Sequence, residues 1–301
     1  MSTARAPRVS VGQVGASPSG TAAGPARHWL RLFRSELKII FVRPRNLAML
    51  ALLAAAPIFL GAVLKISTPP PEAGGGPGPG VFIGQIAGNG VFLSLFAIYV
   101  LLPVVVPLAV AVVSGDSIAG EAGLGTLRTL LTVPAGRTRL LVTKYLSIVV
   151  FCLAAYVLIA VVALAVGALL FPIGPVTLLS GDTVPLADGL ARLALIVCYV
   201  VAGLAALGAL GLALSTFTQH AIAVMATTLV IVIVSQILDA VSQVAAIHPY
   251  LPTHFWFSFD AILRMPIAWA AVAHGLMSFA AYVVIFGAVA WVRIRRADIT
   301  C

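Results

Sequence analysis

Long apolar stretches, each bounded by charged or turn-forming residues, set the rhythm of this chain. They cover about 47–64, 91–113, 141–171, 190–214, 221–247 and 267–291, each long enough to cross a bilayer as a helix. Apolar residues run continuously within them rather than alternating, which argues against a membrane β-barrel. The segment Arg27–Arg43 has a different pattern. Leu30, Phe33, Leu37 and Ile40 recur at helical spacing, while Arg27, Arg31, Arg34 and Lys38 occupy the rest of the circumference. Such a helix lies in the membrane interface with its bases near anionic headgroups. The expected fold class is therefore an all-α polytopic membrane protein. It has six transmembrane helices and an amphipathic helix (27–43) in a single domain, 26–301, preceded by a disordered tail, 1–25.

The interruptions carry further expectations. Pro44 ends the amphipathic helix and Asn46 is placed to cap the first span, which contains Pro57; Lys65 stands at its far end. Residues 67–80, rich in Pro and Gly, predict an irregular external loop. Pro103 and Pro107 fall in the middle of the second span, where they either serve a gating bend or make static kinks. The third span exceeds what a bilayer requires, so it tilts or projects. Small residues in the fourth (Gly203, Ala205, Gly208, Ala209, Gly211, Ala213) permit close packing, within the chain or across a dimer. Ser235, Gln236, Asp239, Ser242 and Gln243 form a polar stripe on the fifth span, either a wall of a translocation path or a seam between helices. Residues 248–266 are too short and too broken to span; their aromatic residues suit a short re-entrant or surface helix begun at Thr253 and ended by Pro266. His248 and His254 lack a carboxylate or cysteine at ligand spacing, so no metal site is expected there.

The stretch from Asp116 to Lys144 is neither apolar throughout nor low in complexity. Thr126 is placed to cap a short helix with Leu124, Leu127, Leu130 and Leu131 on one side; Pro134 stops it and Thr138 opens the next helix. Such a helix suits a docking partner or a lipid surface. Asp116, Ile118, Ala119, Glu121, Gly125, Thr126, Leu127, Leu130, Leu131, Pro134 and Arg137, with Lys144 beyond, resemble the intracellular loop of ATP-binding-cassette (ABC) type-2 permeases. The likeness departs from the commonest family form at Ala122–Gly123, where charged residues are frequent, and extends more weakly over 27–301.

The resemblance implies a coupling helix that plugs into a separate ATPase subunit, contacted by Asp116, Glu121, Gly125, Thr126, Leu127, Arg128, Leu130, Leu131, Pro134 and Arg137. It implies that the amphipathic helix, with Arg27, Arg31, Arg34 and Lys38, is the connecting helix. A second permease copy or paralogue would complete a dimer, and Pro103, Pro107 and the Ser235–Gln243 stripe would line the path. ATP and Mg would bind at the partner, and no cofactor at this chain.

Composition narrows the alternatives. The chain has 301 residues, of which 61% are hydrophobic and 9% charged, with net charge +9. Its bases flank spans instead of forming an aromatic-lined groove, which speaks against nucleic acid. Fifteen basic residues lie on the side of the termini and the 116–144 loop, and three (Lys65, Arg192, Arg264) on the other. That bias predicts cytoplasmic termini. Arginine outnumbers lysine 15 to 3 amid abundant Ala, Gly and Pro, as in proteins of GC-rich bacteria, so the bacterial plasma membrane is the expected location. The three cysteines have no ligand spacing. The chain has no Gly-Lys dipeptide and therefore no P-loop, and no HExxH helix or nucleophile elbow, so it is not expected to be an enzyme. The functional expectation is an ATP-driven exporter subunit for an amphiphilic drug, antibiotic or lipid-like substrate. A scaffold or maturation subunit that binds the ATPase without moving anything is the alternative.

Overall fold

The computed structural model describes residues 25–67, 89–123 and 136–296. Outside these fall the expected tail except its last residue, the 67–80 loop except its first, and the loop-helix residues Gly125, Thr126, Leu127, Arg128, Leu130, Leu131 and Pro134. Among the described residues, six helices are long and apolar enough to cross a membrane.

The elements are α1 (Pro25–Val42), α2 (Pro44–Ser67), α3 (Val91–Leu101), α4 (Val105–Gly115), α5 (Arg137–Leu170), α6 (Leu186–Ser215), α7 (Ala221–Asp239) and α8 (Trp269–Arg296). Pro44 opens α2, where its missing N–H costs nothing. Asn46, expected as a cap, lies inside that helix, and its Nδ2 donates to the Ile40 carbonyl at 2.9 Å, locking the bend between α1 and α2. At the end of α2, exposed Lys65 bridges to the end of α5. It donates to the Leu170 carbonyl at 2.9 Å and stands 5.4 Å from the centre of the Phe171 ring.

The second apolar stretch is not one helix. It breaks at Leu102–Val104 into a buried α3 and an α4 of equal length, which continues as a π turn, Asp116–Gly120, and a short α turn, Glu121–Gly123. Pro103 sits in the break, whereas Pro107 sits in the first turn of α4, where proline is tolerated. The span is thus Val105–Gly123, and Asp116 and Glu121 belong to its end rather than to a free loop.

The core gathers around α6. In its most apolar window 78% of residues are buried, against 17% in both α2 and α8, whose apolar faces are turned outward. Its small residues serve packing within the chain. A Cβ on Gly211 would overlap Ser114 of α4, and one on Gly208 would stand 2.8 Å from Ile148 of α5. Backbones also meet at Gly90 and Gly167, each of which leaves room only for the other's carbonyl.

At the end of the bundle opposite α1, a hairpin pairs β1 (Val176–Thr177) with β2 (Thr183–Val184), Val176 opposite Val184, turning at Gly181 with φ of 89°. Alongside it a 3₁₀ segment, His254–Leu263, buries Trp256, Phe259, Ile262 and Leu263. Tyr99 of α3 packs 4.6 Å from the Phe257 ring, and Tyr199 of α6 donates to the Phe255 carbonyl at 2.8 Å. The helix α7 ends at Asp239, well short of the expected 247, and the chain continues through 3₁₀ turns at Ser242–Val244 and His248–Tyr250.

Candidate functional site

At the α1 end of the bundle, two elements converge on Lys144 of α5. Its Nζ lies 2.7 Å from Oε1 of Glu121 and 3.3 and 3.5 Å from the two carboxylate oxygens of Glu36 on α1. The lysine side chain is only 1% exposed, Glu36 9% and Glu121 11%. Beside them, Asp116 accepts from Arg43 at 3.2 Å and from Arg45, both near the α1–α2 bend. The six groups balance three acids against three bases. Five of them (Glu36, Arg43, Asp116, Glu121 and Lys144) line one small cavity of about 20 Å³, room for roughly one water.

The π turn explains how one strand of chain supplies two of the acids. Five residues of regular α-helix rotate a side chain by about 500°, which would leave Asp116 and Glu121 roughly 140° apart. A π turn is wider and bonds i to i+5, so the two positions come nearly one above the other. Both then line the same small cavity, beside Arg43 and Lys144.

Lys144 belongs to the pattern that the sequence shows, but its burial between two acids and the partner Glu36 were not expected. A signal for Glu36 existed: it is the single acid in Arg27–Arg43 and sits three residues after Phe33 and four before Ile40, on the apolar face. A carboxylate there requires a buried cation. For Lys144 the signal lay in its continuation by Ser147, Ile148, Phe151 and Ala155, the buried stripe of α5.

The other expected coupling residues divide. Arg31, Arg34 and Lys38 point outward from α1. The side chain of Arg27 and the residues Gly125–Pro134 lie outside the description. Arg137 donates to the carbonyls of Ile294 (3.3 Å) and Arg295 (3.2 Å), capping the last turn of α8. Next to it, Thr138 accepts from the Trp291 indole at 3.1 Å instead of capping α5, whose flanking residue is Gly136. The start of α5 and the end of α8 are therefore tied together.

The polar stripe of the fifth span is engaged in contacts within the chain. Buried Ser235 shares a 2.6 Å hydrogen bond with Thr253, and Gln236 donates to the Pro103 carbonyl freed by the break in span two, at 2.7 Å. Asp239 lies 2.5 Å from Nδ1 of His254 and 3.8 Å from Nδ1 of His248. Ser242 and Gln243 fall on the exposed 3₁₀ turn beyond the helix, so the five residues do not share one helical face. A carboxylate near the two histidines, which sequence spacing did not reveal, thus comes from the end of α7.

In the same region Asp260 is half-buried, its Oδ1 without a hydrogen-bond partner. Burial pushes its carboxyl up to about 6, and the Arg264 charge offsets part of that rise.

Residues 82–300 match the model of the family described as "Protein of unknown function (DUF2705)". None of the curated proteins matches the chain. The matched region takes in Asp116, Glu121 and Lys144 together with the opposite end of the bundle, and leaves α1 and α2 outside. With most of its length inside that match, the chain belongs to the DUF2705 family.

Proposed function

We propose that this protein is the membrane-spanning permease subunit of an ATP-driven exporter, powered by a separate ABC ATPase that grips the loop between α4 and α5. The observation that carries this reading is the buried Glu36–Lys144–Glu121 cluster. It fastens the amphipathic helix to both flanks of the loop, so force applied at the loop reaches α1, the end of span two and the start of span three as one unit. Arg43 and Arg45 on Asp116 extend the same joint to the first span. The basic bias toward this side supports a cytoplasmic loop and termini in a bacterial plasma membrane.

In this account the break at Pro103, bridged by Gln236, is the place where spans two and five yield to that force. Substrate would pass beside them as an amphiphile of drug, antibiotic or lipid type, between two permease copies. The lack of a P-loop motif leaves hydrolysis of Mg-bound ATP to the partner.

The test mixes the purified permease with the ATPase encoded beside it and follows hydrolysis and vesicle transport. Stimulated hydrolysis with substrate movement, both reduced at least about tenfold by Leu127→Asp, is the expected outcome; a tenfold loss is about 1.4 kcal/mol of coupling. Stimulation without movement of any amphiphile would favour the scaffold reading. Unchanged stimulation in Leu127→Asp would refute docking through the loop.

A further inference from the structure

We propose that Asp239, His248 and His254 form a site for a divalent transition metal of the zinc class at the bundle end opposite α1. A carboxylate oxygen and one nitrogen from each ring all lie within 4.8 Å of one another. Ligands of a tetrahedral ion at about 2.0–2.1 Å from the metal stand roughly 3.3 Å apart, so the cluster needs only small side-chain shifts to close on one. Two imidazoles with one carboxylate suit zinc and its neighbours, whereas calcium and magnesium favour oxygen ligands.

A second observation is the way His248 is held. Its Nε2 lies 3.2 Å from the Val241 carbonyl, which accepts only, so that nitrogen carries the proton and donates. In the neutral ring Nδ1 then presents a lone pair toward the Asp239 carboxylate, 3.8 Å away. A cation bound between them would satisfy both, and the same carboxylate oxygen lies 2.5 Å from Nδ1 of His254. An outer carbonyl that fixes the tautomer and aim of a histidine is the usual support of a metal ligand.

Neighbouring contacts hold the cluster in place. The Ser235–Thr253 hydrogen bond clamps the His254 segment to α7 one turn before Asp239, and the Phe255 ring meets the edge of His254 at 4.7 Å. Asp239 ends α7, where the helix dipole adds negative potential. Three protein ligands leave a fourth position open to water or an anionic group of a passing molecule. The metal would also pin the end of span five to the 3₁₀ segment. This proposal stands whether or not an ATPase drives the protein.

The test uses the full chain purified in detergent, with any affinity tag removed and metal stripped by chelator. Zinc binding is followed by calorimetry and metal analysis, and Co²⁺ by its visible absorption. One equivalent of zinc, with a tetrahedral Co²⁺ spectrum, is expected. Asp239→Asn should weaken it by about tenfold or more, and His248→Ala with His254→Ala should abolish it. His274→Ala, at an exposed histidine on α8, should change nothing. If the double variant does not purify as a folded protein, His254→Gln, which keeps a polar side chain at this position, replaces it with the same expected loss. Absence of stoichiometric metal in the parent, or equal stoichiometry in the variants, would overturn the proposal.

Discussion

Two clusters of charged or titratable side chains stand at opposite ends of this bundle, built from similar parts to opposite effect. At the α1 end, two carboxylates surround a lysine that water hardly reaches. At the other, one carboxylate meets two imidazoles whose side chains and partner are 16–31% exposed. The lysine ammonium is a fixed charge that must stay paired once buried, so its cluster acts as a fastener. The imidazoles can give up a hydrogen bond for another ligand, and water gives that ligand a path. Burial and the choice of base, rather than the number of charges, separate a joint from a site.

The largest expected effect comes from breaking the joint. Lys144→Met leaves two acids facing each other in a closed space and should cost about 3–5 kcal/mol, read as a marked fall in unfolding temperature in detergent. Adding Glu36→Gln and Glu121→Gln should restore most of it. Tolerance of the single substitution would show that the two clusters do not differ as described. Next, Gly211→Leu should cost about 1–3 kcal/mol by driving a side chain into Ser114, just before the π turn, and should disturb this joint before the histidine cluster.

A subtler contrast lies in pH. Asp260, near the histidine cluster, has a folded pKa of about 6 against an ordinary 3.8. Above 6 the folded protein holds an ionised carboxylate at a cost. That cost disappears as the pH falls through 6 toward 4, so the group's contribution to stability improves on acidification. Asp260→Asn should remove this dependence and, allowing for partial water access, stabilise the protein at pH 7.5 by about 1–2 kcal/mol. Parallel pH profiles of the parent and variant would rule the effect out. The smallest change is expected for Arg45→Ala: 47% exposed, it should cost under about 1 kcal/mol although it touches Asp116.

Much of the membrane architecture was legible because continuous apolar runs have few folded solutions. The amphipathic helix and six spanning helices follow from composition and period alone, whereas the small residues of α6 left open whether they pack within the chain or across a dimer. What escaped depended on geometry that period does not encode. The division of span two was expected as a kink, because two prolines in one run do not say which breaks the helix and which begins one. The π turn adds a residue to one helical turn without a sequence mark, so Asp116 and Glu121 read as loop residues. The early end of α7 hid the meeting of Asp239 with two histidines, and the hairpin at 176–184 is two residues per strand, below what alternation can signal. Glu36 was within reach, since an acid on an apolar helix face asks for its counter-ion.

Docking through the loop is tested by placing a photo-crosslinking amino acid at Leu127 in membranes that contain both the permease and the neighbouring ATPase. A light-dependent covalent adduct with the ATPase is expected, strengthened when nucleotide closes it. Adducts with lipid alone, or labelling of a Leu127→Cys variant by a membrane-impermeant thiol reagent added to intact cells, would contradict it.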